Sequence, residues 1–142
     1  MPVPRPVVSL GARLTCVALA GTAGALGMLA QRRGGIADMA AAAGYAFAPG
    51  VSRFAAATGG LVIHLVWVAL WSVALAAWMQ RDRRPNPSIA ALIIAALALA
   101  TSFIVPAAIG GPLATLPTAE RIVVHVVLAI SLIIGMRLAP RG

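Results

Sequence analysis

Apolar residues run in four long blocks along this chain, and the charged residues fall between them or within a few positions of their ends. The blocks cover roughly residues 10–31, 54–80, 88–105 and 118–138. A helix that crosses a bilayer core of about 30 Å needs roughly 20 residues, and each block can supply one. The predicted fold is all-α: a polytopic membrane protein with four transmembrane helices, forming a single domain over residues 1–142.

The connections between the blocks differ in character. Residues 80–88 make a tight charged turn, in which Asn86 is placed to cap the third helix with Pro87 at its first position. The first outer connection, residues 32–53, is longer, and Ile36–Ala43 is expected to form a short helix at the membrane interface, a depth that suits Tyr45 and Phe47. An Ala48-Pro49-Gly50 turn then leads into the second span. Pro106 is expected to stop or kink the third helix, Gly110-Gly111-Pro112 to turn, and Thr118 to cap the fourth helix. Residues 106–117 are apolar without reading as helix. They are expected in the interface or against another protein, because bare backbone cannot face lipid.

Arginine placement sets the topology. With four spans, Arg5, Arg13, Arg81, Arg83, Arg84, Arg137 and Arg141 share one side with Asp82, a net charge of +6. The other side carries Arg32, Arg33, Arg53 and Arg121 against Asp38 and Glu120, a net +2. The positive-inside rule then puts both termini in the cytoplasm, with the protein in a bacterial inner membrane. The first span follows Arg5 and Arg13 as a signal peptide would, but it runs on to Arg32 and Arg33 and reads as a retained helix.

Composition agrees with this picture. Of 142 residues, 61 % are hydrophobic and 10 % charged, too little charge to cover a water-soluble domain. Eleven basic residues, all arginine, face three acids, for a net +8. These arginines bracket apolar runs, so anionic lipid headgroups are the expected counterions and nucleic acid is not. Cys16 is alone, which excludes an intrachain disulfide, and it reads as a small buried residue.

The two histidines are the best lead to chemistry. His64 and His125 sit in the second and fourth spans, within Leu61-Val62-Ile63-His64-Leu65-Val66 and Ile122-Val123-Val124-His125-Val126-Val127. This match at an offset of 61 residues suggests two repeated helical hairpins. The two spans run in the same direction, so the imidazoles are expected at similar depth, inside the protein rather than toward lipid, which offers no hydrogen bonds. His64, Trp67, Trp71 and Trp78 share one helical face. If the spans are neighbours, His64 and His125 could ligate the metal of a b-type haem or of a chlorophyll-type pigment, with Trp67 and Trp71 beside the macrocycle. The plainer alternative is that each imidazole hydrogen-bonds to another helix or to a backbone carbonyl.

Small residues mark helix packing. Gly21, Gly24 and Gly27 lie in the first span, where Ala20/Gly24 and Gly21/Ala25 form small-xxx-small pairs, and Ala129, Ser131 and Gly135 add to this in the fourth. No acid lies in the apolar stretch of any span, which argues against an acid-driven antiporter. The chain has no phosphate loop, paired-carboxylate motif or HExxH site, and Ser72, Ser102 and Ser131 have no acid–base set, so an enzyme is not expected.

The glycine-rich first helix (Gly21–Gly27) and a histidine early in the second helix of each hairpin (His64, His125) resemble small four-helix bacterial inner-membrane protein families. The glycine–tyrosine pairs that often follow those histidines are missing here. The resemblance implies four spans and supplies no activity. Three functional expectations stand side by side. The first is an accessory or assembly subunit of a larger inner-membrane complex, in contact with other subunits or with itself. The second is a haem- or pigment-binding module, and the third is a small transporter for an apolar solute.

Overall fold

The computed structural model describes residues 9–32, 34–81, 86–109 and 117–138. They form five helices: α1 (Leu10–Ala30), α2 (Ile36–Phe47), α3 (Arg53–Arg81), α4 (Pro87–Ile109) and α5 (Thr118–Arg137). Four of these, all but α2, are long and apolar enough to cross a membrane, and no strand occurs among the described residues. The protein is therefore an all-α membrane protein with four candidate spans.

Cap chemistry explains several boundaries. Ser9 Oγ accepts from the Ala12 amide at 3.2 Å and starts α1. Asn86 Oδ1 accepts from the Ser88 amide at 3.0 Å, with Pro87 at the first position of α4, as its sequence suggests. At α5 the cap is Pro117 rather than Thr118, and no side chain completes it. The α1–α2 reversal uses Gly34 and Gly35 at φ +89° and +116°, a region closed to most side chains.

Pro106 does not stop α4, which continues through it to Ile109. The carbonyl that a proline leaves without a donor is the one four residues back, here Ser102. Arg121 Nη1 of α5 donates to Ser102 O at 2.7 Å and fills that place. The expected Gly110-Gly111-Pro112 turn, and Arg83, Arg84 and Asp82 of the charged turn, lie outside the described residues.

The spans pack antiparallel in sequence. In α1 and α5, Gly135 meets Leu14 and Gly21 meets Ser131 and Val127, and Arg13 Nη1 donates to Leu138 O at 2.8 Å. The start of α1 and the end of α5 therefore share one end of the bundle. Gly11 meets Val73 and Ala76 of α3, and Thr22 reaches His64. Packing contacts join α1 to α3 and α5, and α4 to α5 and α3. Thus α3 and α5 stand on a diagonal and are not the neighbours that direct pairing of the histidines requires.

Inward positions follow the helical repeat. They are Leu14, Ala18, Thr22 and Ala25 on α1, and Ala56, Gly60, Val68, Ser72 and Leu75 on α3. On α5 they include His125, Leu128, Ser131, Leu132 and Gly135, while α4 presents Ala90, Ala91, Ile94 and Ala98. Lipid is as apolar as leucine, so burial does not drive helices together there. Close approach over small residues and dispersion contacts does. The core around Leu14, Leu75 and Leu132 is built this way and occupies the end of the bundle that holds the start of α1.

The short helix α2 extends four residues beyond the expected Ile36–Ala43 and packs tightly on α3. Gly44 sits on the Ala56 backbone and Gly60 on the Ala40 backbone, too close in both cases to admit a Cβ. The order of these contacts reverses along the chain, so α2 and α3 run antiparallel where they touch. Arg53 Nε donates to Asp38 Oδ1 at 3.0 Å across the same hairpin.

Cys16 corrects an expectation. It is exposed on the outer side of α1, off the stripe of Leu14, Ala18 and Thr22 that faces the bundle. In a membrane that surface meets lipid, where a thiol behaves as a small apolar group.

Candidate functional site

The end of the bundle opposite the Leu14–Leu75–Leu132 core does not close. A cavity of about 280 Å³ lies there, walled by the second half of α1, by α2, by the first third of α3, by Thr101, Ser102 and Val105 of α4, and by the start of α5. Its walls are largely aliphatic: Leu26, Leu29, Ile36, Met39, Leu61 and Val124 contribute, with Ala23, Ala40 and Ala43 leaving the space. Into this lining come His64, Trp67, Glu120, Arg121 and His125. The two histidines, though on diagonal helices, face one cavity.

Each imidazole is held by a different device. His64 Nε2 lies 3.1 Å from Thr22 Oγ1 of α1. His125 Nδ1 lies 2.7 Å from the Arg121 carbonyl, one turn earlier on its own helix. The repeated sequence therefore does not carry a repeated hydrogen bond. Gly21, beside Thr22, meets Val127 and Ser131, so the two rings stand within about one helical turn of the same level. His125 is buried and His64 half-buried; neither faces the surroundings of the bundle.

Arg121 is the charged centre of the site. It is 8 % exposed, donates to Ser102 O, and carries its guanidinium 4.8 Å from the Phe103 ring centroid. Stacking on an aromatic face suits a weakly hydrated guanidinium in apolar surroundings. From the sequence, Arg121 and Glu120 count only as charges on the outer side. The available signal was the Arg121/His125 spacing of four, which puts both on one helical face, together with a proline four residues after Ser102.

The tryptophans divide. Trp67 lines the cavity, whereas Trp71 and Trp78 pack on the apolar core. Trp67 and Trp71 meet edge to face, 5.7 Å between centroids at 74°. Trp71 Nε1 and Ser72 Oγ are buried without a hydrogen-bond partner. Of the three glycines in α1, Gly21 is pressed against Ser131 and Gly27 lies 3.7 Å from Ile36, measured from the position of an added Cβ. Gly24 has open space there and faces outward, so it does not pack inside this bundle.

A ligated tetrapyrrole makes demands that this arrangement meets poorly. Two axial imidazoles must aim lone pairs at one metal from opposite sides, but Nε2 of His64 is engaged by Thr22. The cavity of about 280 Å³ lies at the lower edge of the roughly 300–1,000 Å³ of small-molecule pockets. The site is chemically suited to a smaller guest with an apolar body and one or two polar atoms near the imidazoles. Compared with protein-family models, curated proteins and solved structures, the chain matches none of them.

Proposed function

We propose that this membrane protein binds a small amphiphilic molecule in the cavity beneath α2, as the binding element of a carrier or permease for a largely apolar solute. The observation that carries the reading is the convergence of His64, His125, Trp67 and Arg121 on one otherwise aliphatic cavity. Binding sites for small molecules have this make-up, an apolar wall with a few placed polar groups. A bundle that only needed to span lipid would gain dispersion contacts by filling the space with larger side chains. Alanines 23, 40 and 43 keep it open instead.

Thermal unfolding tests the proposal. A ligand that binds only the folded state raises its melting temperature by mass action. An organic extract of the source membranes, added to delipidated protein, is expected to raise the melting temperature of the wild type. The rise should vanish in Ala43→Leu and Ala23→Leu, which fill the cavity from α2 and from α1. An equal rise in the filled variants would refute the site.

A second reading is an accessory or assembly subunit of a larger inner-membrane complex. The outward surface of α1 supports it: Ala20 and Gly24 are exposed there as a small-xxx-small pair, with nothing near Gly24. Such a pair admits a helix of another chain. Gly24→Leu is then expected to release a co-purifying subunit while leaving the bundle folded, and an unchanged set of co-purified proteins would count against it.

A further inference from the structure

On the cavity wall His64 is held so that the nitrogen left over is a hydrogen-bond acceptor. The Ala18 carbonyl has no proton to give, so the Thr22 hydroxyl donates to it at 2.8 Å. The 3.1 Å contact between Thr22 Oγ1 and His64 Nε2 must then be Nε2–H donating to the hydroxyl oxygen. In neutral His64 the lone pair is therefore on Nδ1. His125 Nδ1 stands 2.7 Å from the Arg121 carbonyl and the Ala98 backbone hydrogen-bonds the same ring, so backbone groups of two helices take up His125. No hydrogen bond to Nδ1 of His64 occurs among the described residues, and His64 lines the cavity.

The neighbouring hydroxyls do not answer it. Thr101 Oγ1 donates to Leu97 O at 2.9 Å, and Ser102 Oγ to Leu99 O at 2.6 Å, so both protons are turned back onto α4. Arg121 and Glu120 bring charge of both signs to the same wall, which favours a neutral guest over an ion of either sign. Of the donors on this wall, the Arg121 guanidinium is turned to Ser102 O and the Phe103 ring, and the Nδ1 lone pair of His64 is an acceptor set in aliphatic surroundings.

We infer that the occupant is a neutral apolar molecule with a hydroxyl proton, of the phenol, hydroquinone or long-chain alcohol class, which it donates to Nδ1 of His64. The inference rests on the reading of the cavity as a binding site. An ether or hydrocarbon of the same shape fills the space but leaves this acceptor unpaired, and sites that hold buried polar groups reject such analogues strongly.

The test uses the full-length protein in lipid nanodiscs, with empty nanodiscs subtracted. The probes are 4-tert-butylphenol and 4-tert-butylanisole, which differ in whether the ring oxygen carries a proton. The phenol is expected to bind at least about tenfold more tightly, the consequence of one buried hydrogen bond. That preference should shrink in His64→Phe. Equal affinities, or a preference for the anisole, in the wild type would overturn the hydroxyl inference and leave the cavity reading standing. Saturable binding of neither probe would overturn both. The wild-type comparison needs no variant, so a misfolded substitution does not remove the test.

Discussion

Arg121 supplies Ser102 with the hydrogen-bond donor that Pro106 lacks. The guanidinium of α5 reaches the α4 carbonyl at 2.7 Å and stacks on Phe103 in the same stroke. A buried arginine in a candidate span is costly, and here a break in the helix ladder gives it work. The same side chain then joins the two histidines in the cavity wall. A structural repair and a binding surface therefore share one residue.

This relationship makes a coupled prediction. Arg121→Leu leaves Ser102 O without a partner and is expected to cost about 1–3 kcal/mol of stability. Pro106→Ala restores the backbone donor, so the same change in a Pro106→Ala background should cost clearly less. Unfolding in mixed detergent micelles gives the double-mutant cycle. Strict additivity would show that Arg121 has no such role.

The α2–α3 hairpin should be intolerant at two glycines. A Cβ at Gly44 or Gly60 meets backbone, which cannot swing aside as a side chain can. Gly44→Ala and Gly60→Ala are expected to destabilise by about 1–3 kcal/mol or more and to loosen α2. Gly24→Ala and Gly59→Ala, with open space at the Cβ, are the controls. Protease access to the α2 segment reads the difference. Asp38→Asn removes an exposed ion pair and should cost no more than about 1 kcal/mol.

His64→Ala and Thr22→Val remove opposite ends of one contact. Hydrogen bonds between helices in membranes are worth about 0.6–2 kcal/mol, so each variant should persist in the membrane with modest loss of stability. The two changes together should cost little more than either alone. A wild-type visible spectrum with bands that vanish in His64→Ala would instead point to a ligated chromophore.

Topology has its own test. The +6 against +2 charge difference predicts a cytoplasmic position for Arg83 and an outer position for Tyr45 and Thr115. Cysteines placed there in a Cys16→Ser background report the side through a membrane-impermeant thiol reagent. Labelling of Arg83→Cys in intact cells would invert the arrangement.

What the sequence shows and what it conceals divide along physical lines. The spans are legible because length and apolar content decide them, and Asn86-Pro87 marks a start because cap chemistry is local. The passage of α4 through Pro106 is not legible, since the compensating donor lies fifteen residues away in α5. The diagonal placement of α3 and α5 depends on which small residues meet: Gly21 finds Ser131, whereas Gly24, three residues on, turns outward. Helical period alone gives no phase without knowledge of the partners. His64 and His125 were visible as a pair, but their different hydrogen bonds follow from Thr22 and from the Arg121 backbone, which no shared motif announces.

The central claim is that the cavity between α2 and the bundle holds a small molecule. The most direct measurement is the native mass spectrum of the protein released from its own membranes. Wild-type protein is expected to carry a bound species of small mass that survives detergent removal. Ala43→Leu should lose it, while Leu70→Phe, on the exposed side of α3, should retain it. A wild-type spectrum with no adduct, or one with the same adducts as Ala43→Leu, would contradict the account.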